Sequence, residues 1–169
     1  SSSVELDGVN DFITVADHAS LNFGTGDFSF EFLLNMQSAA ASSEFGILNK
    51  NSTYSGVAGW GVEAETNGQP ANKFKITSYI TNQSTWGGAR ISSGTLDLNT
   101  WYHVAGTREG NTIKLFIDGN QVSSQTSVDA GGNVDNSLAM IIGDHSWGPN
   151  LNAIIDEVRV WGTEIGRAS

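Results

Sequence analysis

Alternation with a period of two recurs along this chain. In residues 28–34, FSFEFLL, Phe28, Phe30 and Phe32 fall on one side, with Ser29 and Glu31 on the other. Residues 74–80, FKITSYI, repeat the pattern. Such a period puts every second side chain on one face, which suits a half-buried strand and not a helix. Further runs lie at 4–6, 12–15, 44–49, 59–65, 89–91, 101–107, 113–117 and 121–125, separated by Gly, Asn, Asp and Ser. Those residues are the ones that turns select. Asp118-Gly119, between LFI and NQV, is a hairpin signature. No long segment has helical periodicity, and no repeat of fixed length is present. The pattern predicts an all-β chain folded as an antiparallel β-sandwich.

The stretch 137–161 concentrates the features that a binding site needs. LAMII is an apolar run too short for a helix. AIIDEVRVW alternates from Ile155, which predicts Ile155, Glu157, Arg159 and Trp161 on one face and Asp156, Val158 and Val160 on the other. Between these runs, GDHSWGPNLN combines turn residues with an Asp, a His and a Trp. A polar loop held between two strands is a common site architecture.

A length of 169 residues suits one domain, 1–169, with a sizeable core. The first residues, SSSVEL, and the last, GRAS, suggest a domain excised from a larger multidomain protein. Eighteen acidic residues against eight basic ones give a formal charge of −10. Nucleic acid is therefore not an expected partner, since phosphate binding needs a basic face. No run approaches the roughly 20 apolar residues of a membrane span, so membrane insertion is not expected.

Four segments, LDGVNDFITV, GDFSFEFLL, WYHVAGTREGNTIKLFIDGNQV and IIDEVRVW, resemble the laminin-G-like, concanavalin A-like jelly-roll domains. That group includes pentraxins and many bacterial carbohydrate-binding modules. The segments occur in the family's order and span nearly the whole chain; Leu33 stands where the family usually has Trp. The resemblance implies a jelly roll of two antiparallel sheets packed face to face. It leaves function open, because lectins, glycosidases and adhesion modules share the fold.

Three chemistries deserve weighing. Sandwich-fold glucanases carry Glu-x-Asp-x-x-Glu on one strand, whereas residues 5–10 here end in Asn10, and Glu63-Ala64-Glu65 and Asp156-Glu157 lack the spacing. The chain is thus not expected to be an enzyme. Calcium takes oxygen ligands, and Asp7, Asn10 and Asp11 put three such side chains into one turn, with Asp7 and Asn10 the nominated ligands. In the resembled fold the first and last strands usually lie side by side, which implies that Asp156 joins them; the competing reading is turn hydrogen bonding alone. Pentraxins bind calcium and ligand with two loops, which carry onto residues 49–54 and 144–147. The resemblance thus nominates Asn49, Asn51, Tyr54, Asp144, His145 and Trp147, with Asn150 in the second loop.

Sugars stack on Trp and Tyr and bond amides and carboxylates, so Trp86 in TWGG is a further ligand residue, and Trp60 lies beside glycines. Trp101 and Trp161 lie inside strand motifs and are expected in the core. Glu31 is expected to face away from the three Phe. Together these features predict a non-catalytic, calcium-associated glycan- or polysaccharide-binding module. Its expected setting is an extracellular or cell-surface bacterial protein. The alternative is a structural or protein-binding adhesion domain.

Overall fold

The computed structural model describes residues 3–51, 57–81, 88–145 and 148–163. In chain order its strands are β1 (Val4–Asp7), β2 (Ile13–Val15), β3 (Phe28–Ser38), β4 (Glu44–Lys50), β5 (Gly59–Glu65), β6 (Lys73–Thr81) and β7 (Arg90–Ser92), followed by β8 (Leu96–Asp97), β9 (Trp101–Glu109), β10 (Thr112–Ile117), β11 (Asn120–Thr126), β12 (Met140–Ile142) and β13 (Asn152–Trp161). One short 3-10 turn, Ala19–Leu21, is the helical element among the described residues. The strands form a six-stranded sheet, β1-β13-β3-β9-β10-β11, and a seven-stranded sheet, β2-β12-β4-β5-β6-β7 with β8 beside β6. Each strand pair is antiparallel. The expected antiparallel sandwich is therefore the observed fold.

The two-residue period decides what lies between the sheets. From β3, Phe28, Phe30, Phe32, Leu34 and Met36 point inward and meet Trp60, Val62 and Ala64 of β5 and Phe74, Ile76 and Ile80 of β6. Each fully buried large apolar side chain contributes roughly 1.5–3 kcal/mol. Trp60, which lies beside glycines in sequence, is a core residue: its ring stacks on Phe30 at 6.1 Å and tilts against Phe28 at 5.3 Å. The Asp118-Gly119 hairpin is present, with both residues at positive φ (49° and 75°), as the tight turn requires.

The closing stretch departs from its sequence pattern in two ways. First, β12 and β13 do not pair with each other. β12 lies between β2 and β4, whereas β13 lies between β1 and β3, so the loop 143–151 crosses from one sheet to the other. Second, the alternation slips at a β-bulge. The β13–β3 register shifts between Asp156 and Arg159, and Glu157 adopts a φ of 54°. The bulge inserts one residue and reverses the phase. Ile155 therefore shares the inward face with Val158 and Val160, instead of opposing them.

Trp101 also departs from expectation. It begins β9 opposite Asn35, on the outer face of the six-stranded sheet, and is 46% exposed. Tyr102 and Val104 take the inward positions. Trp161 lies half-buried on the same outer face, opposite Ser29. Glu31 faces away from the phenylalanines as expected. Its carboxylate meets His103 Nε2 at 3.1 Å and accepts from Arg159 Nη1 at 2.8 Å.

Gly106 gives a direct test of this packing. It pairs with Phe30 across β3–β9, and a Cβ there would overlap the Phe30 ring. That ring cannot retreat, because Trp60 stacks on it from the opposite sheet. Gly106→Ala should lower stability by about 1–3 kcal/mol through overpacking. Gly94→Ala, where a Cβ meets open space, should stay within about 0.5 kcal/mol. Urea denaturation of the two variants measures the contrast.

Candidate functional site

The outer face of the seven-stranded sheet is polar and nevertheless buried. On β5, Trp60, Val62 and Ala64 face the core, so Gly61, Glu63 and Glu65 face outward. Glu63 is only 2% exposed and Glu65 5%. Across β6 their neighbours are Tyr79 beside Gly61, Thr77 beside Glu63 and Lys75 beside Glu65. Arg90, on β7, reaches over β6 to all three nearby carboxylates. Its Nη2 bonds Glu63 Oε1, reaches Glu65 Oε1 at 2.7 Å and lies 3.6 Å from Glu44 Oε1. Lys75 Nζ adds a contact to Glu65 Oε2 at 3.2 Å. Tyr79 lies across Gly61, where a side chain would overlap its ring, and the Arg90 guanidinium sits 5.8 Å from that ring's centre. The Tyr79 hydroxyl is buried and has no hydrogen-bond partner among the described residues.

One guanidinium among three carboxylates divides their chemistry. Burial pushes Glu63 up to about 7; Arg90 opposes this, and Glu44 and Glu65 reinforce it. Burial also pushes Glu65 upward, but bonds from Thr77, Arg90 and Lys75 outweigh it and hold Glu65 below the usual range. Burial alone would lower Arg90, yet the surrounding carboxylates raise it. Desolvation, followed by Glu63, raises Tyr79 far above an ordinary phenol.

The loop 143–151 settles on one end of this face. Its neck is closed by Leu151 N donating to Gly143 O at 3.0 Å, and Gly143 N donates to Ile47 O at 3.1 Å. The main chain at Asp144 lies against Gly46, where a Cβ would come within 2.5 Å of Asp144 O. Glycine at 46 is what lets the loop rest on β4. His145 is not presented to solvent: it is 4% exposed, and its ring lies where a side chain on Gly148 would go. Burial pulls its pKa down. Asn150 is half-buried in the same loop.

The two loops nominated as one rim lie at opposite ends of β4. Antiparallel pairing sets Ile141 against Asn49 and Ile142 against Leu48, so the chain leaving β12 runs toward Glu44. The loop after Lys50 leaves from the other end, about 20 Å away at roughly 3.3 Å per residue. β6 ends at the same edge, where Thr81 pairs with Gly59. The structure therefore does not join Asp144, His145 and Asn150 to Asn49 and Asn51. Asn49 is 3% exposed, and its Oδ1 accepts from Asn51 N at 3.2 Å. Tyr54, Trp86 and Trp147 lie outside the described residues.

The nominated calcium ligands are not assembled. β1 and β13 do pair, but Asp7 lies opposite Asn152, and Asp156 is four positions further along β13. That offset is roughly 13 Å of strand. Asp7 Oδ1 accepts from Val9 N at 2.8 Å, and Asp7 N donates to Asp11 Oδ2 at 3.2 Å, the hydrogen bonding of a turn. Asn10 is exposed in that turn. Asp156 Oδ1 instead accepts from Glu157 N at 2.8 Å and stabilises the bulge. Among the described residues, no three His, Asp or Glu side chains group as metal ligands.

The cluster of buried Glu63, Glu65 and Tyr79 with half-buried Glu44, capped by the exposed Arg90, is absent from the sequence-based nominations. Its signal is the segment GWGVEAE, in which Gly and Glu alternate against Trp, Val and Ala. That alternation gives a strand one apolar face and one face of glycines and carboxylates.

Residues 7–169 match the sequence profile of the concanavalin A-like lectin/glucanases superfamily. Among solved structures, the binding domain of Paraclostridial Mosquitocidal Protein 1 superposes with a TM-score of 0.74 at 16% identity, over 97% of this chain and 41% of that one. Domain 4 of AbnA, a GH43 extracellular arabinanase from Geobacillus stearothermophilus in complex with arabinotriose, superposes at 0.61 and 16%, over 94% of this chain and 69% of that one. The receptor binding domain of botulinum neurotoxin D gives 0.69 and 18%, over 96% and 40%. At these identities the likeness is one of fold, and the chain spans about two fifths of the toxin domains. No curated protein matches by sequence.

The raised Glu63 value makes stability depend on pH. The unfolded side chain loses its proton near 4.5 and the folded one near 7. Its contribution is therefore complete below pH 4.5 and is lost as pH rises through 7. His145, with its lowered value, works in the opposite direction, so the comparison must be with a variant that alters Glu63 alone. Relative to the native chain, Glu63→Gln should gain about 1–3 kcal/mol between pH 5 and pH 8. Denaturant midpoints of both proteins across that range measure the difference.

Proposed function

The chain belongs to the concanavalin A-like lectin/glucanase superfamily, and on that premise we propose that it is a non-catalytic carbohydrate-binding module of a secreted or surface-attached protein. The observation that carries this reading is the prebuilt polar face of the seven-stranded sheet. Arg90, Tyr79 and Glu63 lie at its centre, and a neck-closed loop rests on one end. A glycan would lie along β4 to β6. Trp147 and Asp144 would contact it at one end, and Tyr54 and Trp86 at the other. Asn49 and His145 support those ends from beneath, as their burial indicates. Arabinotriose bound by the arabinanase domain of the same fold supports the ligand class, and the toxin domains support a binding role.

Hydrolysis fits this face poorly. A retaining glycosidase needs one carboxylate free to attack and another free to donate a proton across the scissile bond. Here Arg90 bridges Glu63 and Glu65. A protein ligand is the second reading, favoured by the exposed apolar residues Val9 and Phe12 between β1 and β2.

A glycan array should retain the chain on one or more polysaccharides, and no sugar should be released from them on incubation. Trp147→Ala and Trp86→Ala should each weaken binding to a long polysaccharide several-fold while leaving the melting temperature nearly unchanged. A disaccharide should respond to only one of the two substitutions, because the two ends are about 20 Å apart. A blank array, with capture of a protein ligand instead, would shift the assignment to the second reading.

A further inference from the structure

Lys50 ends β4 and is completely buried. Its ammonium lies among four oxygens. These are Asp17 Oδ1 at 2.9 Å, Leu138 O at 2.8 Å, Asn136 O at 3.2 Å and Asn136 Oδ1 at 3.3 Å. An ammonium has three N–H donors; Asp17 and Leu138 take one each, and the two longer contacts to Asn136 share the third. One carboxylate, two main-chain carbonyls and one amide oxygen are the donor set that hard cations select. They come from two separate segments, the residues after β2 and those before β12. A third segment brings the charge.

We propose that this cage is a cation seat filled by the chain's own lysine, so that the end of β4, the residue before β5 and the segment before β12 are held together without a metal ion. The connection is direct. Asn136 Nδ2 donates to Lys50 O and to Ala58 O, both at 2.8 Å, and so closes the neck of residues 51–57. Lys50 Nζ fixes the same Asn136 through its other oxygens. Asn136 Oδ1 also accepts from Leu138 N at 2.9 Å, which holds the far wall of the cage. The Asp17 carboxyl is held below its ordinary range, chiefly by its bond to Lys50. The sequence points to calcium at the ends of the chain and in this loop. The residues present place a fixed ammonium here instead. This inference concerns only how Lys50, Ala58 and Asn136 are held and does not depend on the ligand being a sugar.

Two measurements on the native chain test it. Its melting temperature should move by no more than about 1 °C in EDTA or in 10 mM calcium chloride. Brief acetic anhydride treatment should modify Lys73, Lys75 and Lys114 at least tenfold faster than Lys50, as followed by peptide mass spectrometry. A large chelator effect, or labelling of Lys50 at the rate of Lys114, would overturn the proposal. Variants then test the metal-like character of the seat. Lys50→Ser should melt lower and recover by several degrees, saturably, with added calcium. Adding Asp17→Asn should remove that recovery. A folded Lys50→Ser chain indifferent to calcium would show that the cage is not a cation seat. If that variant does not fold, the chelation and labelling results on the native chain still decide.

Discussion

A sandwich whose chain passes between sheets must satisfy the backbone of the passage, and here two buried cations do so. Residues 127–139 leave the six-stranded sheet after β11 and enter the seven-stranded sheet at β12 with no strand of their own. Their carbonyls have no ladder to join, and an unpaired buried carbonyl costs as much as a lost hydrogen bond. Arg108, from β9, is fully buried and donates through Nη1 to Gly132 O at 2.8 Å. Its other nitrogens donate to Gly24 O and Gly26 O, and its guanidinium lies 4.9 Å from the Phe28 ring centre. Lys50, from β4, takes the next carbonyls, at Asn136 and Leu138. Each sheet thus sends one cation to the segment that joins them. Burial pulls the Arg108 pKa down, with Asp27 and Asp135 opposing. Loss of either cation would leave several polar groups unsatisfied at once, which is more damaging than losing a surface ion pair.

The same logic governs the seven-stranded sheet. β5 is buried on both faces, one against the core and the other beneath Tyr79 of β6 and Arg90 of β7. Glu65 is held ionised there by bonds from Thr77, Arg90 and Lys75, whereas Glu63, despite Arg90, is pushed up to about 7 by its burial. A polar layer with so many fixed partners has little freedom to rearrange, and its dipoles are set before any ligand arrives. The Tyr79 hydroxyl is the exception, a buried donor with no described partner, lying between Asn49 and Glu63 along the outward face.

The sequence exposes what depends on local periodicity and conceals what depends on register. The inward phenylalanines, the outward Glu31 and the Asp118-Gly119 turn are legible because each follows from neighbours within a few residues. The bulge at Asp156 and Glu157 is written only as two consecutive polar residues, which set Ile155 and Val158 three apart; a strict two-residue period passes over it and assigns the faces after it wrongly. The opposite placement of loops 51–57 and 143–151 follows from β12 pairing antiparallel to β4, which no local pattern encodes. Lys50 and Arg108 read as ordinary surface charges, since the carbonyls that bury them belong to segments more than 20 residues away in sequence. Trp101 shows the converse, an aromatic residue inside a strand motif that its phase turns outward.

These features together fix the strand ends that border the polar face. A ligand that orders a loose loop must offset the entropy of ordering it, which erodes the small gain from each hydrogen bond exchanged with water. At both ends of this face the chain on either side of the loop is tied together at its base. The hydrogen bond from Leu151 N to Gly143 O closes one loop, and Asn136, bridging Lys50 O and Ala58 O, closes the other. The closures use different chemistry because their surroundings differ. The first neck sits beside β4 and is satisfied by main-chain bonding to Ile47. The second meets the unpaired crossing segment, where only a side chain with several donors can reach every carbonyl. A lysine buried at that point links the loop to the passage between the sheets, so the order of the proposed ligand face and the closure of the sandwich rest on the same group.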